Sequence, residues 1–275
     1  MTTNNKYISI KSGALLSYFQ DKGQDRFAYE EAFAALPDTG KGAVRELLSD
    51  MTRRGLLLRL IRGLYQIIPY ESDPATYLPE WHGVVGGLVK GVDYYIGYYS
   101  ALQLHQLITQ PSLKEQVVVA KQLRPSIRTV QRITFQFIYH NPTHFFGYKT
   151  IWVDDFNKVP CSDLEKTIVD CLFEPAYAGG IVEIAKALHK SKTELQYDKL
   201  LTYVERFQSN AVAKRLGFLL ELLDMHAPII NALRKMVTPS YVALDTELPK
   251  SGPQQSRWSI QQNLDTTTIQ SAIYT

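Results

Sequence analysis

Six cationic side chains crowd one short stretch of this chain: Lys41, Arg45, Arg53, Arg54, Arg59 and Arg62. A guanidinium is planar and can donate two parallel hydrogen bonds to guanine O6 and N7, or to a phosphate. The chemistry such a cluster offers is recognition of a nucleic-acid duplex rather than bond making. Arg45 has the right type and place to read a base. Glu46 could accept from cytosine N4, and Gly42 would let the backbone approach closely. Thr39 and Lys41 are expected to hold a phosphate at the positive end of a helix. Arg53 and Arg54 suit phosphates, which fix position and carry no sequence information. Ser49 shares the outward face, Arg59 extends the basic surface, and Arg62 could enter a minor groove.

Those residues need elements to aim them. Val44, Leu47, Leu48 and Met51 recur at i, i+3, i+4 and i+7, one apolar stripe of a helix. On a 100° wheel Gly42, Glu46, Ser49 and Arg53 point away from it, with Lys41, Arg45 and Thr52 on one flank. Gly55 suits the helix stop. Leu56–Leu60 and Leu64–Ile68 flank a turn at Arg62-Gly63, a hairpin signal. Earlier helices are expected over residues 8–20, with Leu15, Leu16 and Phe19 inward, and over Phe27–Leu36. The pattern predicts a winged helix-turn-helix over residues 1–70. Pro69, Pro74 and Pro79 mark a linker at 71–79. Residues 80–275 read as a larger α+β domain, strands first and helices later. Its strands are expected at 93–98, 116–121, 130–140 and 145–154, then helices from residue 162 onward.

Catalysis finds little in that larger part. Ser162-x-x-Glu165 fits a capping box, in which both side chains satisfy free helix N–H groups. Asp154-Asp155 reads as a solvated turn. His140 and His144 bracket Asn141-Pro142, a turn, and no third metal ligand is evident. Cys161 and Cys171 suit small buried apolar positions. The tyrosines of Tyr94–Tyr99 suit a core. Lys214-Arg215 opens a helix whose Leu216, Leu219, Leu220 and Leu223 face inward. No cofactor and no metal is expected.

Bulk properties agree with a soluble regulator. The 275 residues carry a net charge of +3, and 45% are hydrophobic. Residues 1–70 hold ten Lys/Arg against seven Asp/Glu, while the rest balance at twenty each, so the excess is local. A local basic surface matters more than global charge for attracting phosphate. Two cysteines make a poor disulfide framework, which suits a reduced, cytoplasmic setting. The first residues lack an apolar signal segment, and no apolar run approaches the roughly 20 residues needed to span a bilayer.

Several segments together carry a family resemblance. They are Arg62-Gly63-Leu64-Tyr65, the run from Tyr94 to His105, Ser162 to Leu172, and Gly179-Gly180-Ile181. Arg215 to Glu221, Trp258-Ser259-Ile260 and Asn263 complete the set. In this order and spacing the chain resembles the AbiEi family of antitoxin-type transcriptional regulators. His105-Gln106-Leu107 departs from an expected His-Gly-Leu.

The resemblance implies a repressor that binds double-stranded DNA at inverted repeats upstream of its own operon. It implies a C-terminal domain that counters a nucleotidyltransferase-like toxin, with or without direct contact, and no enzymatic activity. A one-component regulator sensing a small ligand is the alternative reading. A nucleotidyltransferase-like enzyme is a third, weakened by the lack of a D-x-D or D-x-E strand after Gly86-Gly87.

Overall fold

The computed structural model describes residues 6–108, 110, 112, 114–154 and 157–274. Asp155, expected in a solvated turn, lies outside the described residues. The chain is mixed α+β, as its pattern predicts, and falls into two compact units. The first comprises Met1–Lys90, Thr129–Ile133 and Trp152–Lys158. The second comprises Gly91–Arg128, Thr134–Ile151 and Val159–Thr275.

The first unit begins with α1 (Ile10–Gln20), β1 (Arg26–Ala28), α2 (Tyr29–Ala35) and α3 (Lys41–Arg53). It continues through β2 (Leu57–Ile61), β3 (Leu64–Ile67) and α4 (Val85–Val89). The three strands form an antiparallel sheet in the order β1-β3-β2. Val44, Leu48 and Met51 of α3 are buried with Leu15 and Phe19 of α1, so the apolar stripe faces the core. Phe27 lies in a strand, β1, where a helix is expected. It pairs with Tyr65 and stacks on Phe19 at 4.2 Å, and a helix can start only after that pairing ends. Gly55, at φ +71°, takes the left-handed conformation that ends α3.

The first unit runs on through residues 71–79 to Lys90. Two glycines show why the later residues pack there. A Cβ on Gly83 would meet Arg26 Nη1 at 2.6 Å, and one on Gly87 would meet Leu64 Cδ2 at 2.4 Å. The bare backbone lets these side-chain ends lie close, and an added Cβ at either position would make them shift.

The second unit carries β4 (Tyr94–Ile96), α5 (Tyr98–Leu104), β5 (Lys114–Val119), β6 (Ile127–Val130), β7 (Ile133–Tyr139), β8 (Tyr148–Trp152) and β9 (Lys158–Ser162). Some ends of these strands are counted with the first unit. Their order in the sheet is β6-β7-β5-β4-β9-β8. Helices α6 (Leu164–Phe173), α7 (Gly180–Lys190), α8 (Tyr197–Phe207), α9 (Asn210–Leu222) and α10 (Ile230–Lys235) follow. A small sheet of β10 (Val242–Ala243), β11 (Gln254–Gln255) and β12 (Ile260–Gln261) precedes α11 (Thr266–Ala272).

Strand β9 corrects the expected capping box. Ser162 ends that strand, and Asp163 caps α6 by accepting the Lys166 N–H at 3.0 Å. Ser162 Oγ instead meets Thr167 Oγ1 at 2.7 Å, and Glu165 accepts the Gln196 N–H at 3.0 Å. Lys214 and Arg215, read as a charged helix start, are buried. Arg215 donates to the carbonyls of Leu172, Phe173 and Ala243.

The later segments that carry the family resemblance have structural work in this unit. The Ile181 N–H donates to Asp245 Oδ2 at 2.8 Å. Trp258 is wholly buried against Gly217, where a Cβ would meet its ring at 2.1 Å. Trp258 Nε1 donates to Glu221 at 2.7 Å, and the Asn263 carboxamide brackets the Asp245 backbone. Gln106, at φ +57°, takes the left-handed position where glycine is at ease. Among the described residues, no helix is long and apolar enough to cross a membrane.

Candidate nucleic-acid interface

Tyr29 gathers the exposed basic residues of the first unit. Its hydroxyl donates to the Lys41 carbonyl at 3.0 Å, at the start of α3. Its ring lies 5.4 Å from the Arg45 guanidinium. Its backbone N–H donates to the Gly63 carbonyl at 2.8 Å, next to Arg62 in the β2–β3 turn. One half-buried residue therefore ties the α3 start to the hairpin tip. Gly63, at φ +82°, makes that turn possible.

Lys41, Gly42, Arg45, Glu46, Ser49, Arg53, Arg59 and Arg62 are all exposed. Among the described residues, no carboxylate pairs with Lys41, Arg45, Arg59 or Arg62. Nothing lies within 4 Å of where a Cβ on Gly40 or Gly42 would sit, so the helix start is open. Gly40 caps α3 without a side-chain bond, which leaves N–H groups at that end for solvent or a ligand. The Arg59 carbonyl accepts from Gln131 Nε2 at 3.3 Å within the same unit.

Two expected contacts are corrected. Thr39 is buried at 7% exposure, and its N–H donates to the Leu36 carbonyl at 3.0 Å. It lies before the cap and closes the α2–α3 turn. Arg54 is committed to the fold. It donates to the Tyr7 carbonyl at 2.5 Å and Ser12 Oγ at 3.0 Å, and pairs with Asp50 at 2.8 Å. Arg53 remains exposed while contacting the same Asp50, so its charge is partly offset.

The second unit holds a different polar cluster, wholly buried. Lys166 Nζ pairs with Asp170 Oδ1 and donates to Tyr95 Oη at 2.9 Å. Tyr95 Oη donates to Asp170 Oδ2 at 3.0 Å and meets His140 Nδ1 at 3.2 Å. Tyr98 Oη meets His140 Nε2 at 2.8 Å. Burial holds both phenols well above their ordinary range, with the Asp170 charge adding to the effect. Burial lowers Lys166, against the pull of Asp170. Burial also brings His140 down to about 4, so it is neutral at pH 7. Single residues of this network were visible in the sequence, but not its convergence, because Tyr95 and Asp170 lie 75 positions apart.

Cys161 and Cys171 are free and buried, and burial pushes both thiols up. Among the described residues, no three His, Cys, Asp or Glu side chains stand together in a way that could hold a metal ion.

No family model matches this chain, and no curated protein does. The architecture belongs to a class already seen in a solved protein. The chain is similar to the crystal structure of the RV2827C protein from Mycobacterium tuberculosis, with a TM-score of 0.65 at 16% identity. The likeness covers 94% of this chain and 92% of that one. At this identity it shows the fold alone.

Proposed function

We propose that the first unit is a winged helix-turn-helix that binds double-stranded DNA, with α3 as recognition helix and the β2–β3 hairpin as wing. The observation that carries this is the joining of Lys41, Arg45 and Arg62 through Tyr29, exposed and without carboxylate partners among the described residues. Unneutralised cations on one face repel one another, and a phosphate backbone relieves that repulsion. The residues in position to contact DNA are Lys41, Gly42, Arg45, Glu46, Ser49, Arg53, Arg59 and Arg62. Early turns of such a helix meet base edges in the major groove, and that assigns base reading to Arg45 and Glu46.

The chain as a whole is proposed as a repressor and antitoxin of the AbiEi type, without enzymatic activity of its own. It would act on inverted repeats upstream of its own operon and counter a nucleotidyltransferase-like toxin. The ordered segments from Arg62 to Asn263 support that extension. DNase footprinting of the upstream region tests the DNA reading, with a protected inverted repeat as the expected result. An unprotected region at moderate salt would overturn it. Co-expression with a neighbouring nucleotidyltransferase-like gene tests the antitoxin reading, with restored growth as the expected outcome.

A further inference from the structure

A cavity of about 310 Å³ in the second unit is lined in part by Tyr98, Gln136, Phe137, Phe173, Glu174 and Tyr177. That volume is at the small end of ligand pockets. Its walls are aromatic and built to stay in place. Tyr98 and Tyr177 meet edge to face at 5.2 Å. Tyr98 is held at φ +52°, a conformation uncommon for an aromatic residue, and its hydroxyl is fixed on His140.

Of the polar atoms in the lining, one buried acceptor has no donor among the described residues. Gln136 Oε1 is buried and has no hydrogen-bond partner among the described residues. Gln116 is its register neighbour on β5 and is 5% exposed. Gln116 Nε2 donates to the Tyr177 carbonyl at 2.7 Å, while its own Oε1 also has no partner among the described residues. A buried acceptor without a donor costs free energy, so Gln136, the one of the two that lines the cavity, marks a place where a donor belongs. Glu174 carries the one formal charge of the lining at pH 7, and one of its oxygens accepts from Thr246 Oγ1 at 2.7 Å.

We propose that this cavity binds a guanidinium group, from a small molecule or from an arginine side chain of a partner. The group is flat, which suits stacking between aromatic walls. Its N–H fork can serve the Gln136 carbonyl and the Glu174 carboxylate together. A phosphate or carboxylate ligand would face the like charge of Glu174. An apolar ligand would leave the Gln136 oxygen bare. The proposal does not depend on DNA binding by the first unit.

Calorimetric titration of the full chain with n-propylguanidinium and with n-butylammonium tests it. Saturable binding is expected for the first, about tenfold or more tighter than for the second. Glu174→Gln keeps the Thr246 contact and should weaken binding about tenfold, and Gln136→Leu should weaken it similarly. A capped Gly-Arg-Gly peptide separates the two sources: binding equal to the small cation points to a partner's arginine, and exclusion of the peptide points to a free ligand. No saturable heat, equal binding of n-butylammonium, or unchanged affinity in both variants would overturn the proposal.

Discussion

The cations of the two units are used in opposite ways. In the second unit Lys166, Lys214 and Arg215 are buried, and their N–H groups end on Asp170, Tyr95, Ser240 and backbone carbonyls. In the first unit Lys41, Arg45, Arg59 and Arg62 are exposed and have no carboxylate partner among the described residues. Composition treats these residues alike. The destination of each N–H separates a cation that holds the fold from one available to a partner. Arg54 sits inside the basic run and belongs to the first kind.

The largest expected effect lies in the buried network. Asp170→Ala leaves the Lys166 charge without its partner, which costs about 3–5 kcal/mol. Urea denaturation would show it, and adding Lys166→Met should recover much of the loss. A loss below about 1 kcal/mol would mean that this ion pair is no more important than a surface pair.

Acid should act on the same network. His140 titrates near 4 when folded, against an ordinary 6.5, because burial disfavours its charged form. The unfolded chain therefore binds the proton first as pH falls. His140 weakens the fold progressively from pH 6.5 to about 4, a loss of ~3 kcal/mol at 1.36 kcal/mol per unit. Urea midpoints at pH 7 and pH 4.5 measure it, and His140→Gln should flatten that part of the profile.

A matched pair of arginines then probes the contrast within the first unit. Arg45→Ala should weaken operator binding by about 1–3 kcal/mol and relax specificity at one base pair, with stability unchanged. Arg54→Ala should instead cost about 1–2 kcal/mol of stability through its lost charged hydrogen bonds. Swapped outcomes would reverse the roles assigned here. Gly42→Ala gives the smallest effect. It should stabilise α3 by about 0.5–1 kcal/mol, because nothing obstructs the added methyl, while lowering DNA affinity. Thermal melts and a DNA titration check the two halves.

How much of this could be read from the chain depends on distance along it. The α3 stripe, its Gly55 stop and the β2–β3 turn are local patterns, and the structure shows each in place. Arg54 misled because its partners Tyr7 and Ser12 lie 47 and 42 positions away. Thr39 looked like a helix-end ligand, but the cap falls one residue later, at Gly40. Strand β9 was hidden because its short run, Lys158–Ser162, contains Pro160 and abuts a helix signal. The cavity and the Tyr95–His140–Asp170 network assemble residues from separate strands and helices, and no local period marks such a meeting.

The most direct test is fluorescence anisotropy of the full chain on its own upstream DNA across a salt series, beside the triple variant Lys41→Ala, Arg45→Ala, Arg62→Ala. Each phosphate contact contributes about −0.9 to the slope of log affinity against log salt. The account predicts steep salt dependence for the native chain and a slope shallower by about 2–3 in the variant, with binding greatly weakened. Equal slopes and equal affinities would contradict it.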